Sequence, residues 1–330
     1  MPSFKKINTK AISQENTGFG ANSSFNAGRF VNKDGNANVE KRGIPFLQRY
    51  SIYHSLLEFP RWKFAIAILG FFILINIAFA SIYFLIGVDQ LGGISFGSPL
   101  QNFGEAFFFS TQTFTTVGYG RINPSGFLTS TVAAIEALTG LLSFAVVTGL
   151  FYGRFSRPRA YLKFSENMVV APFKKSTALM FRMVPYKNNQ LTDAKVKVTF
   201  AMTLEEEGKK NNKFYQANLE ISEVNTLNLN WTVVHVIDEK SPLYGFTLED
   251  MQFAKLEVLV FVRAFDEAFS NTVIARTSYT GNEIIYGAKF KIMYEANQSG
   301  INTMLHIDRL NDIEKAELPL SIVKETQASA

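Results

Sequence analysis

Thr115-Thr116-Val117-Gly118-Tyr119-Gly120 is the stretch whose reading decides the fold. Its glycines permit backbone conformations that residues with a Cβ reach only at a steric cost, so successive carbonyls can be aimed at one axis while Val117 and Tyr119 turn away into packing. A string this short is also readable as a glycine turn in a soluble protein. The flanking residues separate the two readings.

Upstream, Phe64 to Val88 contains no charged residue, and as a helix its 25 residues would span roughly 37 Å, enough to cross a hydrocarbon core about 30 Å thick. Downstream, Ile122 to Gly153 carries one charge, Glu136, and is also long enough to cross. The first run begins beyond residue 60 and is longer than the apolar core of a cleaved signal, so both are expected to stay in the mature chain. Before Phe64 there are ten Lys and Arg against four acids, whereas the segment between the runs holds Arg121 against Asp89 and Glu105. That bias predicts a multi-pass protein of the cell membrane with both termini cytoplasmic.

Gly87 to Pro99 has the Gly, Ser and Pro punctuation of an exposed loop, and Asn102 to Phe114 is apolar and helical in character yet too short to cross. A short helix followed by irregular glycine backbone at membrane depth is tolerated only where protein buries it or water lines it. Residues 102–114 and 115–120 therefore read as a re-entrant helix and loop, which reverses the soluble-turn reading. Residues 1–44, rich in Asn, Gly, Ser and Lys, read as a disordered tail. Over 45–60, Phe46, Leu47, Tyr50, Tyr53, Leu56 and Leu57 recur at helical spacing, which predicts an amphipathic helix lying at the interface; a helix on a soluble core is the alternative. The membrane unit then covers 61–157, with spans at about 62–87 and about 126–154. After Pro158 the runs Lys195 to Phe200, Phe214 to Ile221, Trp231 to Ile237, Leu256 to Phe265, Thr272 to Tyr279 and Glu283 to Tyr294 predict a β-sandwich over 158–330. The tail from Asp312 is charged, with an apolar patch at Leu318 to Val323.

Several separated motifs share one resemblance. The string Thr116 to Gly120 matches the potassium-channel selectivity filter, in which carbonyls replace an ion's hydration shell. Phe59-Pro60-Arg61-Trp62-Lys63, Gly149 through Arg159, Trp231 through Gly245 and Ala275-Arg276-Thr277-Ser278-Tyr279 resemble the inward-rectifier potassium channels, the prokaryotic branch most nearly, over about residues 45 to 310. The resemblance implies an α-helical membrane pore of two transmembrane helices, a pore helix and a filter. It also implies a C-terminal immunoglobulin-like β-sandwich cytoplasmic domain and a homotetramer around one pathway.

It further implies roles for particular residues. The carbonyls of Thr116, Val117, Gly118 and Tyr119, closed by Gly120, would bind K+ ions, with the Thr116 hydroxyl as the lowest ring. Glu136, Gly140, Phe144, Thr148 and Tyr152 follow at i+4 on one slowly drifting face and read as the pore lining. Tyr152 aligns with the bundle-crossing constriction, and Phe144 stands where strong rectifiers place an acid. Magnesium and polyamine cations, the blockers the family implies, should therefore act weakly. Asp193 aligns with an acid of the cytoplasmic pore, while Arg263 stands where strong rectifiers carry a second one. Ala264, Phe265, Asp266 and Glu267 match the loop of an upper cytoplasmic gate, and Glu267 with Arg276 reads either as a brace or as two surface charges.

Glu136, ionisable inside a span, calls for a partner, and Arg121 is one candidate; a protonated or water-bonded carboxyl is the other reading. Gln112 replaces a glutamate that in many relatives braces the filter. Arg61, Trp62, Lys63, Arg154, Arg157, Arg159 and Lys187 read as a basic belt for anionic, phosphoinositide-like lipid, with plain topology signals as the alternative. His235 and Asp238 read as a structural network.

Composition excludes other classes. Cysteine is absent, the net charge of +5 is modest, and no nucleic-acid face, phosphate loop, nucleophile motif or metal-spaced cluster is visible. An enzyme is the least expected class, and no cofactor is expected beyond K+ in the filter. A less selective cation channel, or a ligand-sensing or scaffolding membrane protein with an inactive pore, remain the alternatives.

Overall fold

The computed structural model describes residues 11, 13, 29–43, 45, 51–206, 209–297 and 302–319. They fall into two compact units, Lys41–Arg157 and, separately, Pro158–Ala330 joined by Met1–Glu40. Phe46, Leu47 and Tyr50 of the expected interfacial helix, and the apolar patch beyond residue 319, lie outside the described residues.

In the first unit α1 (Ile52–Glu58) starts at Ser51, whose hydroxyl accepts from the His54 amide. α2 (Arg61–Ile86) follows Pro60 and stops at Gly87, where φ is 120°. Asn76, Phe79, Ala80 and Tyr83 bury one face of its second half, and its mean hydropathy is high enough to cross a membrane. A two-residue ladder, β1 (Leu91–Gly92) with β2 (Asn123–Pro124), closes the connecting loops at their base. Between them α3 (Pro99–Phe114) is started by a capping box in which the Ser98 and Gln101 side chains serve each other's backbone, with Pro99 in the first turn. α4 (Phe127–Phe155) is the second helix of membrane-crossing length. Phe79, Ala80, Tyr83, Leu91, Ala106, Phe109 and Ile122 form the core that seats α3 on α2.

The second unit is a sandwich of two five-stranded sheets. Its strands are β3 (Leu162–Phe164), β4 (Met168–Phe173), β5 (Ser176–Pro185), β6 (Leu191–Glu206), β7 (Lys209–Gln216), β8 (Glu223–Thr226), β9 (Trp231–Ile237), β10 (Glu257–Asp266), β11 (Asn271–Thr280) and β12 (Ile284–Tyr286). A short helix, α5 (Leu248–Phe253), separates β9 from β10. One sheet runs β11-β10-β6-β7 with β8 also on β6; the other runs β12-β4-β5-β3 with β9 also on β5. Val196, Val198, Phe200, Val258, Val260 and Val262 of the first meet Met168, Leu179, Phe181 and Val233 of the second in one core. Short pairs of β13 (Ala288–Phe290) with β16 (Ile313–Lys315), and of β14 (Tyr294–Ala296) with β15 (Thr303–Leu305), complete the unit.

Several sequence expectations differ from this structure, and the run Phe214 to Ile221 leaves β7 after Gln216. The run Glu283 to Tyr294 is interrupted at Gly287, where φ is 66°, and divides among β12, β13 and the first residue of β14. Residues 29–38, expected in a loose tail, are fastened to the outer face of the first sheet. The amides of Phe30 and Val31 donate to Glu257 at 2.5 and 3.0 Å, Ser278 Oγ donates to the Val31 carbonyl at 2.5 Å, and Arg29 pairs with Glu283 at 2.9 Å. Phe30 is buried edge-on to Phe214, and the Lys33 ammonium lies 3.8 Å from the Tyr279 ring centre. A polar composition suggests disorder only where no partner offers such bonds.

Candidate ion pathway

The loop after α3 has an alternating backbone. Thr116, Gly118 and Gly120 lie in the left-handed region at φ 57°, 55° and 82°, with Val117 and Tyr119 between them on the ordinary side. Alternating handedness turns successive peptide planes the same way, so their carbonyls can line one side. Glycine makes this cheap at two of the three positions; Thr116 bears the cost of a Cβ. The loop hangs from the last turn of α3: the amides of Val117 and Gly118 both donate to the Gln112 carbonyl, at 3.0 and 3.3 Å. Gln112 thus serves the loop through its backbone. Val117 and Tyr119 are 53% and 80% exposed on the single chain, so the packing expected around them is not supplied by the chain itself.

Arg121, next after Gly120, forms an ion pair with Glu105 on α3. It is therefore not the partner of Glu136. Glu136 is fully buried and bonds instead to Tyr83 of α2 (2.6 Å) and Ser110 of α3 (2.5 Å), linking three helices behind the loop. One turn further on, a Cβ on Gly140 would stand 2.0 Å from the Phe114 carbonyl oxygen, so α4 touches the end of α3 backbone to backbone.

The expected pore stripe consequently splits. Glu136 and Gly140 are buried against α3, whereas Phe144, Thr148 and Tyr152 are exposed. At 3.6 residues per turn each i+4 step advances by about 40°, so Tyr152 stands about 160° around the helix from Glu136. Phe144 shares with Thr116, Thr115, Phe72 and Phe114 an apolar cavity of about 560 Å³ immediately below the loop.

Among the basic residues, Arg154 is committed internally. Its guanidinium donates to the carbonyls of Leu56, Leu57 and Phe59 at 3.3, 3.4 and 2.5 Å and lies 4.9 Å from the Phe64 ring centre, tying α1 to α4. This revises its place in the expected lipid belt, because the cation is spent on the free carbonyls that end α1. Arg61, Trp62, Lys63 and Arg157 of the same unit are exposed. In the β unit Arg159 shares a polar cavity of about 560 Å³ with Lys33, Asp34, Tyr161, Tyr186 and Arg276. Lys187 is exposed, with its ammonium 4.0 Å from the Tyr161 ring centre.

Asp193, at φ 47°, sits beside a β-bulge between β6 and β10 and points outward, as do its neighbours Lys195 and Arg263. Ala264 to Asp266, expected in a loop, are the paired end of β10, which reaches Asp266↔Asn271 and Asp266↔Leu191. Ala264 and Asp266 are buried, and the Asp266 carboxylate accepts from the Phe269 amide at 3.2 Å, so of the four expected gate residues Phe265 and Glu267 are the exposed ones. Arg276 on β11 lies over the ring of Phe261, its partner on β10, and among the described residues it forms no pair with Glu267. His235 is buried between the Asn218 carbonyl and Ser241 Oγ, each at 2.8 Å, and burial pushes its pKa below the usual histidine value. It is a structural post.

Two membrane-length helices, a capped half-length helix ending in a left-handed alternating loop, and a separate β-sandwich define a two-span channel with an appended β domain. The family model described as Ion channel matches residues 70–157, and that described as Inward rectifier potassium channel C-terminal domain matches 162–330. The inward rectifier potassium channel Kirbac3.1 of Paramagnetospirillum magnetotacticum is 37% identical over 266 residues, covering 79% of this chain and 88% of that protein. The inward rectifier potassium channel irk-1 of Caenorhabditis elegans is 24% identical over 88% of this chain, which spans only 58% of that relative. The human ATP-sensitive inward rectifier potassium channel 12 is 26% identical over 83% of this chain and 69% of its own length. The chain belongs to the inward-rectifier potassium channel family. It is accordingly an ion-transporting membrane protein.

Proposed function

We propose that four copies of this chain surround one pathway and conduct K+ passively through stacked rings of carbonyls from Thr116, Val117, Gly118 and Tyr119, closed by Gly120. The alternating backbone at 116, 118 and 120 carries this reading. Oxygens aligned on one side of a single strand of chain cannot surround an ion, but four such strands can replace its hydration shell. The exposure of Val117, Tyr119 and Phe144 supports the same assembly, since neighbouring copies would cover the first two and share a cavity at the third.

In this reading the β unit is cytoplasmic and both termini lie on that side. Tyr152 forms one gate, and Phe265 with Glu267 at the β10–β11 tip forms a second. Rectification is weak, because Phe144 gives the cavity no acid and Arg263 stands beside Asp193 at the β6–β10 bulge, so magnesium and polyamines find little negative field. Anionic, phosphoinositide-like lipid regulates opening through Arg61, Trp62, Lys63, Arg157, Arg159 and Lys187. The test is rubidium uptake into liposomes holding the purified protein, with sodium competition, barium block, and membranes with and without phosphoinositide. Uptake that barium stops and sodium does not is expected; equal competition by sodium rejects potassium selectivity.

A further inference from the structure

We propose that Glu136 carries a proton and, as a neutral acid, positions the pore helix behind the filter; its bearing on selectivity rests on the reading that residues 116–120 conduct. Asn76, Tyr83, Ser110 and Glu136 are each 0% exposed, drawn from α2, α3 and α4. They form an unbroken row of polar contacts. Tyr83 Oη is 2.6 Å from Glu136 Oε2, Ser110 Oγ is 2.5 Å from Glu136 Oε1, and Ser110 Oγ is 3.0 Å from Asn76 Oδ1.

Each of these three contacts joins two oxygens, and each needs one hydrogen. The two hydroxyls supply two. Asn76 cannot supply the third, because its amide nitrogen donates to the Phe72 carbonyl at 2.7 Å. Turning that amide over would set two acceptors against each other at the same distance. The third hydrogen is therefore on Glu136: Tyr83 donates to Oε2, Oε1–H donates to Ser110, and Ser110 donates to Asn76, whose Oδ1 at 3.0 Å and main-chain carbonyl at 3.3 Å share that hydrogen.

An ionised Glu136 would leave Ser110 and Asn76 joined by no hydrogen and would bury a charge without a cation. The nearby spans offer none. Phe64 to Val88 is uncharged, and Arg121 is held by Glu105. Buried polar groups of this kind are costly when incompletely paired and rigid when complete. Ser110 lies one turn before Phe114, at the end of α3 from which the filter loop hangs, so the row fixes that end between the two spans.

Two measurements on the full-length protein in liposomes test this. Glu136→Gln keeps a donor toward Ser110 and an acceptor toward Tyr83, and should hold the rubidium-over-sodium preference within about threefold of wild type. Glu136→Ala and Ser110→Ala, each leaving a buried partner unpaired, should lower it about tenfold. Independently, the infrared difference between wild type and Glu136→Gln at neutral pH should show loss of a carboxylic-acid C=O band. Loss of ionised carboxylate bands instead overturns the protonation, and unaltered selectivity in an assembled Glu136→Ala overturns the positioning. If Glu136→Ala fails to assemble, Ser110→Ala and the infrared result decide. A wild type without potassium preference sinks the filter reading while the infrared bands still judge the proton.

Discussion

Gly140→Ala is the sharpest perturbation the geometry offers. The added methyl would lie 2.0 Å from the Phe114 carbonyl oxygen and 2.9 Å from its carbon, whereas ordinary contact begins at 3.4 Å. The opposing atoms are backbone, so no side chain can swing aside, and α4 must part from the end of α3 by about 1.4 Å, the difference 3.4 − 2.0. Overpacking of this kind costs about 1–3 kcal/mol, against which alanine returns up to about 1 kcal/mol of helix propensity. With the full return subtracted, the net loss of stability should be about 0–2 kcal/mol. Because Phe114 immediately precedes the loop proposed to act as the filter, the displacement should also misplace its carbonyls, lowering the rubidium-over-sodium preference about tenfold. Gly70→Ala is the control, since nothing lies within 4 Å of its Cβ position on the same unit. It should leave selectivity intact and melting unchanged or slightly raised. A Gly140→Ala protein that melts and selects like wild type refutes the backbone contact; one that melts lower yet selects normally refutes its link to the filter.

Four further outcomes follow from other contacts. Phe144→Glu, which in the proposed tetramer would set a ring of acids in the cavity below the loop, should strengthen block by internal magnesium or spermine in liposome recordings. Glu257 is raised above the ordinary 4.5, chiefly by burial, against the Phe30 and Val31 amides, Ser278 and Arg29, which pull it down. The folded chain therefore holds that proton more tightly than the unfolded one, so its contribution to stability is complete below 4.5 and lost as pH rises through the raised value. Glu257→Gln should flatten that part of the melting-temperature profile; an unchanged slope counts against it. Neutralising Arg61 or Lys63 should weaken the response to anionic vesicles by roughly 1 kcal/mol each, an effect that salt reduces. Arg154→Gln should instead lower the melting temperature even in neutral lipid, because three carbonyls lose their donor.

The spans and half of the β domain were legible because their residues repeat a simple environment. Phe64 to Val88 excludes charge along its whole length, and in β6 the inward Ala194, Val196, Val198 and Phe200 alternate with outward Asp193, Lys195 and Lys197. Strands β4 and β5 escaped the same reading for a physical reason. In β5 nine of the ten residues are buried, Leu179, Phe181 and Met183 on one side and Ala178 and Met180 on the other, so no alternation exists to be seen. The strap at 29–38 escaped because what holds it is Glu257, 227 positions away, accepting from main-chain amides that any sequence would carry.

The site divides along the same line. Its alternating loop was legible from two glycines, since their conformational freedom is local. Glu136 could be marked as needing a partner, yet Tyr83 and Ser110 are 53 and 26 residues away and are ordinary members of apolar runs. Tyr152 and Phe144 stayed on a drifting stripe that burial then cut in two. What a single chain buries, Glu136 and Gly140, concerns how the filter is held. What it leaves exposed, Tyr119 at 80% and Phe144 at 72%, lies where further copies would have to supply the surroundings. If the proposed tetramer holds, changes to the first pair should act on selectivity and stability within each subunit and changes to the second on assembly and block, a separation that assemblies with one altered subunit would resolve.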